Sequence, residues 1–283
     1  MSRFFDQTHR AQTKSRAPVA GSFNVEHVLQ SVKQADTIIG EVADSRLRRC
    51  RRIELPHTSA LPLISNGDIV ARAAAEPYRA LRTRLMRLQR QNGFRSVVIS
   101  SALPGEGKTL TTLNLALTYA QLQDERILVI DADLRTRGLT KQLGTPSGPG
   151  LAEILNGKAQ FDEAVLATEL PNLHVLSGGA VAASPAELFS GDHWKEFVGW
   201  ASECFTIILV DSPPLLPVSD AELIMAACDG VLLVVRARST LREQLQQSCT
   251  HIDNKKLLGL IFNATDGQSK EGYYVAYGGN HKP

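Results

Sequence analysis

The 283-residue chain has no apolar run approaching the ~18 residues that a membrane-crossing helix requires. Its opening residues, MSRFFDQTHR, lack the apolar stretch that heads a secretory signal. Cysteine is scarce: Cys50, Cys204, Cys228 and Cys249 show neither CxxC spacing nor a nearby His pattern of metal-ligand spacing. That excludes a zinc module or a disulfide scaffold and points to reduced, buried thiols. Net charge is also nearly absent, at +2, so no global field draws the chain to nucleic acid, and no nucleic-acid partner is expected. Hydrophobic residues make up 43% and charged residues 21%, which excludes a fibrous or wholly disordered chain. These absences together predict a cytoplasmic globular protein whose link to any membrane runs through a partner.

Charge is present but segregated. Residues 1–92 carry a local +8 and residues 93–283 a local −6. The basic front half suits an anionic membrane surface or an acidic partner, and equally a solvated helical face. Residues 1–21 are polar and basic. Residues 24–52 carry apolar side chains at helical spacing (Val25, Val28, Leu29, Val32) and are predicted as helix. Pro56, Pro62 and Asn66-Gly67 then mark a linker. A second helix is predicted from Ile69 to Gln91, where Leu81, Leu85 and Leu88 share a side and five arginines interleave between Arg79 and Arg90.

From Arg95 onward, short apolar runs at 96–100, 127–131, 173–177, 206–211, 230–235 and 257–262 alternate with helical patterns at 108–122, 185–204, 218–228 and 239–253. Near-continuous apolar strands separated by helices predict an α/β fold, a mostly parallel central sheet with helices on both faces. Ligands of such sheets bind at the carboxyl ends of the strands. There the first run leads into Ala102-Leu103-Pro104-Gly105-Glu106-Gly107-Lys108-Thr109, a Walker A pattern with Ala in place of the first Gly. The glycines let backbone N–H groups turn inward, the following helix favours anions, Lys108 offers a charge to phosphates and Thr109 a hydroxyl to Mg²⁺. The second run ends in Asp131-Ala132-Asp133, and the fourth in Asp211-Ser212-Pro213-Pro214. Alone, each acidic motif is compatible with a solvated loop. In order on one sheet, the three motifs point to phosphoryl chemistry with a metal ion.

This combination, SALPGEGKT, ILVIDADLR and IILVDSPP, resembles the bacterial tyrosine kinases of capsule and exopolysaccharide synthesis, whose kinase domain is a deviant P-loop NTPase. SPAELFS (184–190) and DSPPLLPVSDAELI fit the same family. The resemblance covers about residues 71–265 and implies three segments: an N-terminal extension (1–70), a kinase domain (71–265) and a C-terminal tyrosine tail (266–283). It implies ATP and Mg²⁺ as cofactors, with Pro104, Gly105, Glu106, Gly107, Lys108, Thr109 and Leu110 around the phosphates. Thr109, Asp133 and Asp211 would serve the metal, Lys108, Asp131, Asp133 and Asp211 the chemistry, and Asp131 the hydroxyl proton. Asn263, at the end of the last run, would read the adenine by the same likeness, and is equally a turn-forming residue.

The family's Glu-x-x-Arg-x-x-Arg motif appears as Glu76, Arg79 and Arg82. The resemblance implies a ring-like homo-oligomer built through it, while an intrahelical pairing is the local alternative. Family members modify C-terminal tyrosines in trans, and here Tyr273, Tyr274 and Tyr277 lie in DGQSKEGYYVAYGGNHKP, a composition that predicts a flexible substrate tail. Without a membrane helix the chain looks like the split form, cytoplasmic and peripheral to the inner membrane through the tail of a membrane polysaccharide co-polymerase. A partition or division-site type ATPase switch, or a nucleotide-binding adaptor, remains the competing class. The second lysine usual near the start of that loop is missing, for Leu103-Pro104-Gly105 stand there.

Overall fold

A computed structural model gives the structure, and it describes residues 45–48, 50–56 and 69–265. Residues 24–44 of the helix expected over 24–52, and the tail with Tyr273, Tyr274 and Tyr277, lie outside the described residues. The described residues all fall in one unit spanning residues 39–283.

The apolar runs form the strands that their β-branched composition favours. In chain order the elements are β1 (Arg51–Arg52), α1 (Ile69–Asn92), β2 (Ser96–Ser101), α2 (Lys108–Tyr119), β3 (Ile127–Asp131), α3 (Gly138–Leu143), α4 (Leu151–Leu155), α5 (Phe161–Ala164), β4 (Val165–Ala167) and β5 (Leu173–Leu176). They continue with α6 (Pro185–Ser190), α7 (Asp192–Cys204), β6 (Ile207–Asp211), α8 (Asp220–Ala227), β7 (Gly230–Arg236), α9 (Arg242–Thr250) and β8 (Leu257–Asn263). The eight strands form one sheet in the order β1-β4-β5-β3-β6-β2-β7-β8. Every pairing is parallel except β4 with β5.

Side-chain alternation along the strands splits the core in two. Val97, Ile99, Val129, Leu209 and Val234 face one layer, into which α1 sends Leu85 and α2 sends Leu113, Leu115 and Leu117. Val98, Ile130, Val210 and Leu233 face the other, against Ile154 of α4, Trp194 and Phe197 of α7 and Ile224 of α8. Both faces are covered, which is why the central strands read as unbroken apolar runs.

Three features differ from the sequence reading. Arg51 and Arg52 are an edge strand on β4, not the end of a helix. The reason lies just beyond them: Ile53 and Leu55 bury against the sheet, the Ile53 amide donates to Ala167 O at 2.9 Å, and the Leu55 amide to both oxygens of Glu169. The helix read over 185–204 is two helices, because Gly191 is extended (φ −79°, ψ 171°) between α6 and α7. The short strand β4 turns the sheet antiparallel at one edge. Among the described residues no helix is long and apolar enough to cross a membrane.

Candidate active site

Because β6 lies between β3 and β2, the loops after these three strands converge at their carboxyl ends. Residues 102–107 wrap from β2 into α2, and Gly105 (φ +79°) and Gly107 (φ +95°) occupy the left-handed region open to glycine. No side chain caps α2, so the free N–H groups of its first turn are available to an anion. The loop is clasped by residues that end or follow the neighbouring strands β7 and β8. Arg236, ending β7, donates to Gly105 O at 2.9 Å, and Thr240 donates to the buried Glu106 carboxylate. The other Glu106 oxygen accepts the Leu103 amide at 3.0 Å. Asn263 donates its amide to Glu106 O at 2.9 Å and lies so close to Gly107 that a Cβ there would overlap it. The structure thus places Asn263 on the phosphate loop. Glu106 acts inside the loop as a brace, whereas Pro104, Gly105 and Leu110 are exposed around it.

Below the loop, Asp131 and Asp211 are register partners at the ends of β3 and β6. Thr109 donates its hydroxyl to Asp211 Oδ2 at 2.7 Å, and Lys108 Nζ stands 3.5 Å from Asp133 Oδ2. Asp131 Oδ2 accepts both the Thr140 hydroxyl (2.6 Å) and the Thr140 amide (2.7 Å). Among the described residues, three buried carboxylate oxygens have no hydrogen-bond partner: Asp131 Oδ1, Asp133 Oδ2 and Asp211 Oδ1. Burial pushes the Asp211 carboxyl up to about 8, opposed by Lys108 and reinforced by Asp131. Burial likewise lifts Asp131 to about 6 against the two Thr140 hydrogen bonds. Unpartnered oxygens at this depth are expensive and suit a site that takes up positive charge.

No group of three or more acidic, His or Cys side chains converges on one metal position among the described residues. Mg²⁺ does not need one, since it keeps several waters and binds through one or two carboxylates plus phosphate oxygens. The Thr109 hydroxyl with Oδ1 of Asp211 and Oδ2 of Asp133, the latter beside Lys108, is a hard-oxygen set of that kind.

The AAA domain family matches residues 94–257, more than half of the chain. The tyrosine-protein kinase YwqD of Bacillus subtilis (strain 168) is 35% identical over 204 residues, covering 71% of this chain and 86% of that protein. The chain belongs to the bacterial tyrosine-protein kinases. A tyrosine-protein kinase ptk from Acinetobacter johnsonii is 30% identical over 262 residues, 91% of this chain but 34% of the relative, so the chain spans about a third of that protein. The solved kinase domain of Escherichia coli tyrosine kinase ETK superposes with a TM-score of 0.64 at 28% identity, covering 74% of this chain and 88% of that domain.

Several functional contacts of this kinase carry no local sequence signal. Thr140, which grips Asp131, sits nine residues further along, and its hydroxyl accepts the Gly178 amide at 2.9 Å. Arg135 makes a two-pronged pair with the buried Asp220 (2.6 and 3.1 Å), tying the loop after β3 to the start of α8. Gly138 backs directly onto Thr109, where a Cβ would approach the hydroxyl to 3.3 Å. The expected oligomerisation residues face the carboxyl end of α2: Glu76 pairs with Arg79 at 3.3 Å, Arg79 reaches Gln121, and Arg82 donates to Thr118 O. A guanidinium at a helix carboxyl end complements its partial negative charge, so Arg82 already has a partner within its own chain.

Proposed function

We propose that this kinase is an ATP-dependent protein-tyrosine autokinase that phosphorylates Tyr273, Tyr274 and Tyr277 in trans between copies in a ring-like homo-oligomer. Through that modification it regulates polymerisation or export of an exopolysaccharide or capsule chain, docked on the cytoplasmic tail of a membrane co-polymerase at the inner membrane. Residues 1–70 serve as the extension, 71–265 as the catalytic domain and 266–283 as the substrate tail. The observation that carries the reading is the convergence of Lys108, Thr109, Asp131, Asp133 and Asp211 around buried, unpartnered carboxylate oxygens.

A tyrosine hydroxyl has a free pKa of ~10 and is a weak nucleophile at neutral pH. Its oxygen bonds to the γ-phosphorus of ATP as the bond to the β–γ bridging oxygen breaks, and ADP leaves. The phenolic proton passes to Oδ1 of Asp131, whose other oxygen is held by Thr140. Lys108 and the amides of residues 105–109 hold the phosphates, and Mg²⁺ held by Thr109, Asp133 and Asp211 supplies charge neutralisation when bound. Glu76 and Arg79, both partly exposed, are available to a neighbouring copy, with Arg82 behind them.

The test is label transfer from γ-labelled ATP to the full chain, with Asp131→Asn alongside. Tyrosine-linked label on the wild type, reduced at least a hundredfold in the variant, is expected. Label that is equal in both refutes the role of Asp131. Arg79→Ala with Arg82→Ala is expected to lower the oligomer mass measured by light scattering, and an unchanged mass refutes the ring contact.

A further inference from the structure

On the far side of Thr140 from Asp131 a cavity of about 290 Å³ opens, lined among others by Arg137, Thr140, Thr145, Ser147, Glu153 and Ser177. Thr140 joins it to the reacting centre, since the same residue holds Asp131. The lining mixes polar side chains with apolar surface, and its donors are not all spent. Arg137 uses one nitrogen on Gly179 O at 2.8 Å, and its stem lies across Gly178, where a Cβ would stand 3.1 Å from Cγ. Its backbone is left-handed (φ +49°), an uncommon state for a residue with a side chain and one that fixes its direction. The Thr145 hydroxyl is buried without a partner. The one acid in the lining, Glu153, is committed to backbone donors, accepting Gly150 N at 2.8 Å and Ala180 N at 3.2 Å. A guanidinium with donors to spare suits a carboxylate better than an aromatic ring.

We propose that this cavity is a recognition subsite for a carboxylate two residues ahead of the acceptor tyrosine, filled by Glu271 when Tyr273 is the acceptor. The inference rests on the tyrosine-kinase reading above. In an extended peptide, residues two apart point to the same side, ~6.6 Å from one another. In Lys270-Glu271-Gly272-Tyr273 the intervening glycine puts no side chain against the wall. Arg137 supplies the charge, so the subsite selects an acidic over a basic residue at that position.

The experiment uses the full chain with Tyr273, Tyr274 and Tyr277 changed to Phe as enzyme, and a synthetic 266–283 peptide as substrate. The Glu271→Lys peptide is expected to lose about tenfold in kcat/KM, mostly through KM, against the unaltered enzyme. An Arg137→Glu enzyme is expected to reverse the preference, while its nucleotide affinity, read separately by fluorescent-ATP titration, stays within twofold. Label indifferent to charge at 137 and 271 overturns the subsite and leaves the kinase reading standing. Absence of label on every peptide with every enzyme, ATP still bound, overturns both.

Discussion

The hydroxyl and the amide of Thr140 both donate to a single oxygen of Asp131, at 2.6 and 2.7 Å, and leave the other oxygen buried without a partner. A carboxylate held this way cannot rotate to hide its free oxygen, and its basicity is set by burial on one side and two donors on the other.

Removing the hydroxyl from that grip is expected to lower catalysis more than binding. Thr140→Val keeps the amide donor and the branched shape but leaves one bond unmade. We expect kcat for tail phosphorylation to fall about tenfold or more, with ATP affinity within twofold, and Thr140→Ser to restore most of the rate. Steady-state kinetics on the three proteins checks this; equal kcat for Val and wild type would contradict it.

The buried carboxylates without hydrogen-bond partners set the nucleotide-free protein at a cost to stability. Asp211→Asn keeps an acceptor for Thr109 while removing a carboxyl that burial holds protonated up to about pH 8, so at pH 9 the variant without nucleotide is expected to melt higher than the wild type. It is also expected to lose the further rise in Tm that Mg-ADP gives the wild type. Differential scanning calorimetry, with and without Mg-ADP, reads both shifts.

Arg135 and Asp220 act as a pair of unequal exposure. Asp220 is buried whereas Arg135 is 44% exposed, so loss of the arginine strands a charge inside. Arg135→Ala is expected to destabilise by about 2 kcal/mol, less than a fully buried pair would lose. Adding Asp220→Asn is expected to recover part of it. Urea unfolding of the two variants measures the difference.

His174 makes stability fall in acid. Burial, with the nearby Arg126 charge, lowers its pKa to about 4 from the ordinary 6.5. The unfolded chain therefore binds a proton that the folded chain refuses between those values. Stability is intact above pH 6.5 and declines as pH falls toward 4, by up to about 3 kcal/mol from this residue. His174→Leu, placed against Phe205 where the imidazole packs, is expected to flatten that slope in unfolding measurements from pH 7 to 4.5.

What the sequence made legible was whatever is encoded locally. The apolar runs gave six of the strands within a residue or two at each end, because buried parallel strands have no polar face to confuse the period. The phosphate loop, Asp131 and Asp211 were legible because each sits at the end of such a run. Thr140, Arg135–Asp220 and the clasp of Arg236, Thr240 and Asn263 on the loop were not, since those partners lie from nine to 157 residues apart and only the folded sheet brings them together. The strand at Arg51–Arg52 was read as helix because two basic residues carry no β signal, and the burial of Ile53 and Leu55 that seats it is a tertiary effect.

Transfer of phosphate to the chain's own tail is tested most directly by mass spectrometry of the 266–283 peptide released from protein incubated with Mg-ATP. Lys108→Met, which removes the charge at the phosphate loop, is run in parallel. Phosphate on Tyr273, Tyr274 or Tyr277 in the wild type, and none in the variant, is the predicted result. An unmodified wild-type tail with ATP bound, or a tail modified equally in both proteins, would contradict the account.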